Sequence, residues 1–127
     1  MSDCVGAVTY AIRLTGSQNA REHWRARARR VKAERTTAMV ACCASLTRPK
    51  RWPVVVRLTR IGPRKLDSDN VAGACKATRD GVADWLGVDD GDESRVRWVY
   101  AQERGAYGVR VEVLADGDVA TWDEVLP

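Results

Sequence analysis

Alternation of hydrophobic and polar positions predicts the strands of this chain. Near the N-terminus every second side chain is hydrophobic, at Val8, Tyr10, Ile12 and Leu14. This period of two predicts a half-buried strand. The stretch 54–61 is rich in β-branched residues and is followed by Gly62-Pro63, which predicts a second strand and its end. Two further strands, at about 95–103 and 107–114, are predicted to form a hairpin through the loop 104–106.

Helical periodicity predicts a long first helix. The segment from about 20 to 46 contains neither proline nor glycine, and Ser17 or Asn19 precedes it as a capping residue. Apolar residues at helical spacing form a stripe at Trp24, Ala28, Val31, Ala38 and Val40. We therefore predict one helix with Trp24 in the core, and with Thr36-Thr37 as the point where the helix can break.

A second helix is predicted to begin at a cap formed by Asp69 or Asn70 and to run to about Leu86. Its buried stripe would consist of Val71, Ala74, Cys75, Thr78, Val82 and Leu86. The resulting order is β-α-β-α-β-β, an α+β fold with a small mixed sheet and two main helices. The length of 127 residues predicts a single domain over 1–127.

The composition argues against a membrane segment, a signal peptide and a zinc site. No hydrophobic run approaches the roughly 18 residues of a membrane helix and no signal peptide is recognisable, so we expect the protein to remain in the cell that makes it. The four cysteines lack C-x-x-C spacing, which argues against zinc and favours reduced structural thiols. His23, the single histidine, is interpreted as a surface or capping residue. The formal net charge of +4 mildly favours polyanionic partners.

Two acidic segments carry the candidate chemistry, Asp67-Ser68-Asp69 and Asp89-Asp90. Proteins hold Mg²⁺ with one or two carboxylates and phosphate oxygens. A straight helix between the segments would separate them by more than about 20 Å, so a returning turn or a second subunit is needed to unite them. The alternative is that Asp69 caps the helix and Asp89-Asp90 form a solvated turn. Against it, carboxylates at a helix C-terminus are unfavourable unless a cation compensates them.

Basic residues are concentrated in two stretches. Seven positive charges fall within fifteen residues of the first predicted helix, at Arg21, Arg25, Arg27, Arg29, Arg30, Lys32 and Arg35. A second stretch ends in Arg64-Lys65 and leads directly into Asp67. Arginine binds phosphate in a bidentate manner, so both stretches are candidate contacts to a phosphate backbone. A solvated helix face is the alternative for the first.

Together these residues resemble the signature of RusA-type Holliday junction resolvases, a family common in phages and prophages. The matching pattern is Asp67-x-Asp69-Asn70, then Lys76, Asp80 and Asp89-Asp90. The turn Gly16-Ser17-Gln18-Asn19 is similar to that family's P-x-S-x-N entry turn, with Gly16 in place of proline. The resemblance covers about 10–113. It departs from the best-known members at Lys76, which follows Asn70 by six residues instead of three.

The resemblance implies a homodimer that cleaves four-way DNA junctions with Mg²⁺, or with Mn²⁺ as a substitute, in the cytoplasm of a bacterial or phage-infected cell. It assigns catalysis to Asp67, Asp69, Asp90 and Lys76, with the three aspartates as metal ligands. Asn70, Asp80 and Asp89 would surround those ligands. Contacts to branched DNA would come from Arg21, Arg25, Arg29, Arg64 and Lys65.

Two other functions stay open on the residues alone. The first is a non-catalytic nucleic-acid-binding module whose carboxylates serve only as caps and turns. The second is a metal nuclease that acts on other branched or flapped DNA. Binding of Mg²⁺ or Mn²⁺ distinguishes the first from an enzyme, and a panel of branched substrates distinguishes the second.

Overall fold

Four strands and three helices make up the computed structural model, which describes residues 6–14 and 23–115 except for the side chains of Ser68 and Asp69. In chain order the elements are β1 (Gly6–Ala11), α1 (Trp24–Ser45), β2 (Val54–Gly62), α2 (Ser68–Ala74), α3 (Lys76–Leu86), β3 (Val96–Arg104) and β4 (Gly108–Ala115). The protein is therefore a small mixed α/β structure. The predicted order β-α-β-α-β-β becomes β-α-β-α-α-β-β, because the second predicted helix is divided into α2 and α3.

The strands form one mixed sheet in the order β1-β4-β2-β3. β2 lies parallel to β3 and antiparallel to β4, and β1 lies antiparallel to β4. The predicted hairpin of the last two strands is therefore wrong, since β3 and β4 lie on opposite sides of β2. The chain after β3 passes over the end of β2 instead, where the Gly105 N–H donates to the Gly62 carbonyl at 3.1 Å.

β2 is the strand that is both paired at its two edges and buried on its two faces. Val54, Val56 and Leu58 face the helices in the main core, whereas Val55 packs with Leu114 on the opposite face. A strand buried in this way tends to read as a hydrophobic run, as Val54-Val55-Val56 does at the start of β2. The prediction of this strand is confirmed to within one residue.

α1 is continuous through Thr36-Thr37, and its predicted apolar stripe is wrong except at Ala38, which is buried. The helix buries Glu34, Ala38 and Cys42 in its C-terminal half, while Trp24 is 68% exposed. At 1.5 Å per residue α1 is about 33 Å long and α3 only about 17 Å, so α3 covers only part of α1. The basic N-terminal part of α1 is thereby left exposed.

The start of α1 also differs from the prediction. His23 is the N-cap, and its Nδ1 accepts a hydrogen bond from the Arg25 N–H at 3.1 Å. This confirms the capping interpretation of His23. The predicted caps Ser17 and Asn19 lie outside the described residues.

The predicted second helix is interrupted at Cys75, whose backbone has φ −90° and ψ 0°. Its N-cap is Asp67, which corrects the predicted cap at Asp69 or Asn70: both of those residues lie inside α2. The predicted buried stripe is confirmed in full. α3 ends at Gly87, which adopts the left-handed conformation with φ 74° that glycine accepts without strain. The interruption makes Lys76 the first residue of α3.

Two of the thiols are structural. Cys42 and Cys75 are buried and free, and Cys43 is free and exposed. Cys4 lies outside the described residues. No helix in the described ranges is long and apolar enough to cross a membrane.

Candidate functional site

The turn after α3 folds back along the helix and returns Asp90 to its first residue. Lys76 Nζ lies 3.3 Å from Asp90 Oδ2 and 2.8 Å from Asp80 Oδ1. Asp80 is one helical turn beyond Lys76, and Asp90 reaches the same ammonium group from the turn. A straight helix would keep Asp90 far from Lys76, but the returning turn brings the two side chains into contact within one chain.

Arg79 and Trp98 fix the backbone of Asp90. The Asp90 carbonyl accepts hydrogen bonds from Arg79 Nη2 at 2.9 Å and from Trp98 Nε1 at 2.8 Å. Arg79 Nε also lies 3.0 Å from Asp90 Oδ2. The guanidinium stacks over the Trp98 ring at 5.0 Å and donates to the Tyr100 hydroxyl at 3.0 Å. Asp90 is thus held through both its main chain and its carboxylate.

The two cations also set the charge state of Asp90. Partial burial alone would raise the pKa of its carboxyl, but Lys76 and Arg79 outweigh that effect and hold the pKa below its ordinary value. The hydrogen bond to Asp80, together with Asp90, raises the pKa of Lys76. At neutral pH Asp90 is therefore ionised beside the protonated Lys76 and Arg79.

The neighbouring acidic residues stabilise the turn itself. Asp89 Oδ1 accepts the Gly91 N–H at 3.0 Å, and Asp92 Oδ1 accepts the Ser94 N–H at 3.1 Å. Such side-chain to backbone bonds are characteristic of Asx turns. Asp89 therefore has a local structural role, whereas Asp90 points back to α3.

The Asp67 segment is attached to β3 by a pair of hydrogen bonds. Gln102 accepts the Leu66 N–H at 2.7 Å and donates to the Leu66 carbonyl at 2.7 Å. The next residue, Asp67, is exposed, and its side chain makes no capping hydrogen bond although it is the N-cap of α2. Its carboxylate is available to a ligand. Asn70 lies in the first turns of α2, and the side chain of Asp69 is outside the described part.

One face of β3 connects the two acidic segments. Trp98, Tyr100 and Gln102 occupy alternate positions and point toward the helices. Trp98 holds the Asp90 turn and Gln102 holds the Asp67 segment, four residues or about 13 Å away along the strand. Arg79 binds Tyr100 between them. Both acidic segments therefore lie over the same strand, on the same side of the sheet.

Cavities and basic side chains surround this face of β3. An open cavity of about 490 Å³ beside the turn is lined in part by Arg79, Asp90 and Trp98. A cavity of about 220 Å³ between α1 and the other helices is lined by Arg27, Arg30 and Lys76, among others. The predicted DNA contacts Arg25 and Arg29 are exposed on α1, and Arg64 and Lys65 are exposed after β2. Arg21 lies outside the described residues.

Among the described side chains, no group of three carboxylate, histidine or cysteine residues is close enough to hold a metal ion. The site residues predicted from sequence are thus brought together only in part: Asp90 meets Lys76 and Asp80, and the predicted ligand Asp67 lies farther along the same strand.

Sequence reasoning missed Arg79, Trp98, Tyr100 and Gln102. The alternation of large polar-tipped side chains along β3 could have indicated the last three. Arg79 gave no signal because one more arginine in a basic chain is not distinctive.

A comparison with protein-family models, curated proteins and solved structures gives no match to this chain.

Proposed function

We propose that the protein is a Mg²⁺-dependent, structure-selective endodeoxyribonuclease of the RusA type that resolves four-way DNA junctions by paired symmetric nicks. The observation that carries the proposal is the return of Asp90 to Lys76 at the start of α3. This contact unites two parts of the resemblance that a straight helix would have kept apart.

Asp67, Asp69 and Asp90 would hold the metal, either Mg²⁺ or Mn²⁺. Carboxylate oxygens are the ligands that hard divalent cations prefer. Asp67 fits this role because its carboxylate is exposed and makes no capping bond, and Asp90 fits because its backbone is fixed. When bound, the metal would supply a hydroxide-like nucleophile and stabilise charge on the leaving oxygen. Asn70, Asp80 and Asp89 would orient the surrounding groups.

Lys76 would provide positive charge next to the reacting phosphate. Its side chain is 61% exposed and its ammonium group bridges Asp80 and Asp90, so Lys76 is held beside a proposed metal ligand while it remains open to solvent. A fixed cation of this kind stabilises the charge that develops on the phosphate in the transition state.

The DNA would lie across the basic side of the molecule. Arg25 and Arg29 extend from the exposed part of α1, and Arg64 and Lys65 flank Asp67. The cavity shared by Arg27 and Lys76 connects the basic helix to the start of α3. Backbone contacts of this kind give affinity and salt dependence without reading sequence. A homodimer would present two equivalent sites to a four-way junction.

The direct test is incubation of the protein with a labelled four-way junction. We expect cleavage with Mg²⁺ or Mn²⁺, no cleavage with EDTA, and none of a plain duplex. Asp67→Asn should stop cleavage and preserve junction binding, because removal of a carboxylate does not weaken contacts to phosphate. Absence of cleavage with every divalent metal refutes the proposal.

A second candidate is a non-catalytic nucleic-acid-binding module. It is favoured by the fact that Lys76 and Arg79 already neutralise Asp90, and that Asp89 stabilises its own turn without a metal. Calorimetry with Mg²⁺ and Mn²⁺ separates the two functions, because the module has no metal site at millimolar concentrations. A nuclease for other branched or flapped DNA would be recognised in the same assay with a panel of substrates.

A further inference from the structure

Arg60 is a buried arginine with few partners. It lies near the end of β2 and is only 5% exposed. Its Nη1 donates to the Arg64 carbonyl, and its Nε is buried with no hydrogen-bond partner in the described structure. No described carboxylate forms an ion pair with it. A buried guanidinium is costly unless it is paired, so an anion bound beside Arg60 would be stabilised by it.

A basic cavity of about 220 Å³ lies beside this guanidinium. Its lining includes Gly62, Arg64, Lys65 and Arg104. Gly62 brings the cavity close to Arg60, because a Cβ at Gly62 would lie 2.9 Å from Arg60 Nη2. Arg64 lines the cavity and also accepts the Arg60 hydrogen bond through its carbonyl. Arg60 therefore lies directly behind two of the lining residues.

The other polar side chains of the cavity are already engaged. Gln102 uses both ends of its amide to bind the Leu66 backbone. Glu103 accepts 2.7 Å and 3.3 Å hydrogen bonds from Arg110. Since successive residues of a strand point to opposite faces, Glu103 is directed away from the face that carries Gln102 and Arg104. The cavity is thus lined by three exposed cations with the buried Arg60 behind them, and its single carboxylate is paired with Arg110.

We propose that this cavity, formed by Gly62, Arg64, Lys65 and Arg104 and supported by Arg60, is a binding site for a phosphate group. Guanidinium groups form short, charge-assisted hydrogen bonds with phosphate oxygens, and several of them around one anion are typical of phosphate recognition. The group can come from free phosphate or from a phosphodiester. Only its assignment to a DNA backbone phosphate rests on the proposed nuclease function.

The site is tested by calorimetric titration of the full-length protein with inorganic phosphate in the absence of metal. We expect saturable binding at one site. Arg104→Gln should weaken it by about tenfold, the loss of one charge-assisted hydrogen bond. Gly62→Ala should weaken it without changing the charge, because the new methyl group displaces the Arg60 guanidinium. No measurable binding by the wild-type protein overturns the proposal.

Lys50→Gln is the matched control for net charge. Lys50 is exposed and precedes the start of β2, whereas the cavity lies at the other end of this strand, which is about 26 Å long. We expect the Lys50→Gln protein to bind phosphate with an affinity within twofold of wild type. A twofold change corresponds to about 0.4 kcal/mol, which is within experimental scatter. If Lys50→Gln weakens binding as much as Arg104→Gln, the interaction is diffuse electrostatic attraction and the site does not exist.

A competition arm identifies the source of the phosphate group. A short oligothymidylate that displaces inorganic phosphate shows that the site takes a phosphodiester. An oligothymidylate that binds without displacing phosphate overturns that assignment and supports free phosphate. Neither arm requires cleavage or metal, so the site and the nuclease function can fail independently.

Discussion

Lys76 and Asp90 are fourteen residues apart in the chain, yet Lys76 Nζ lies 3.3 Å from Asp90 Oδ2. The contact exists because the second predicted helix is interrupted at Cys75 and the turn after α3 runs back along it. It places a carboxylate from one end of α3 beside a cation at the other end. An acidic helix C-terminus is thereby compensated by side chains of the protein itself.

Arg79 is expected to determine the order of the Asp90 turn. Arg79→Lys keeps the charge but loses the planar fork that binds the Asp90 carbonyl, the Tyr100 hydroxyl and the Trp98 ring. At about 1 kcal/mol per hydrogen bond, amide hydrogen exchange in residues 87–95 should accelerate by about five- to thirtyfold.

Arg110→Lys is the matched control for that experiment. Arg110 also forms a two-point pair, with Glu103, whose side chain is 49% exposed, and this pair does not contact the Asp90 turn. Its loss should change stability by less than about 1 kcal/mol and leave exchange in the turn unaltered. Equal exchange in the Arg79→Lys and wild-type proteins would contradict the role given to Arg79.

Gly81 is expected to tolerate no side chain. A Cβ at this position would collide with the Arg35 carbonyl and approach the Ala38 side chain to 2.8 Å, where α3 packs on α1. Gly81→Ala should therefore lower the free energy of unfolding by about 1–3 kcal/mol in urea denaturation. Gly91→Ala is the control, because its nearest neighbour is Asp89 Oδ1 at an ordinary 3.6 Å. A Gly81→Ala protein as stable as wild type would mean that the two helices are not in close contact.

The buried thiols are expected to resist alkylation. Burial raises the pKa of Cys42 to about 12, and burial likewise raises that of Cys75 to about 12. The thiolate is the reactive form, so neither should react with iodoacetamide at pH 8, whereas the exposed Cys43 should. Peptide mapping by mass spectrometry assigns the label. Equal labelling of Cys42 and Cys43 in the native protein would contradict the burial of α1 against the core.

The stability that Asp90 contributes should depend on pH in one direction. Its pKa is lower in the folded protein than in the unfolded chain, so the contribution is present above about pH 3.9 and is lost as the pH falls through the folded value. Because the ion pairs are partly exposed, it should amount to no more than about 1 kcal/mol. Asp90→Asn should accordingly be less stable than wild type at pH 6, and the difference should shrink at pH 3. A difference that grows toward acid would contradict the ion pairs.

The parts of the fold that were predictable are those with a strong local signal. The β-branched run of β2 is typical of a strand, and the apolar spacing from Val71 to Leu86 is typical of a helix. Both predictions are confirmed. Strand pairing was not predictable in this way. The short loop after β3 suggested a hairpin, but β2 lies between β3 and β4 and pairs with both.

The sequence predicted which types of residue form the candidate site, but it did not predict which of them are in contact. Asp90 could be chosen over Asp89 only from the resemblance, and the structure gives the two residues different partners. Arg79 had no recognisable pattern, because it acts on the backbone of a distant segment. Trp24 was assigned to the core from its spacing, but α3 is too short to reach it.

In the proposed nuclease, Asp90 would hold the metal, whereas Asp89 would act through the turn that it stabilises. Cleavage of a labelled four-way junction with Mg²⁺ should be compared for wild type, Asp90→Asn and Asp89→Asn, with junction binding measured for each. We predict that Asp90→Asn loses at least about a hundredfold in cleavage rate, or 2.7 kcal/mol, and still binds the junction. Asp89→Asn should retain cleavage within about tenfold. Absence of cleavage by the wild-type protein, or equal cleavage by Asp90→Asn and wild type, would contradict the account.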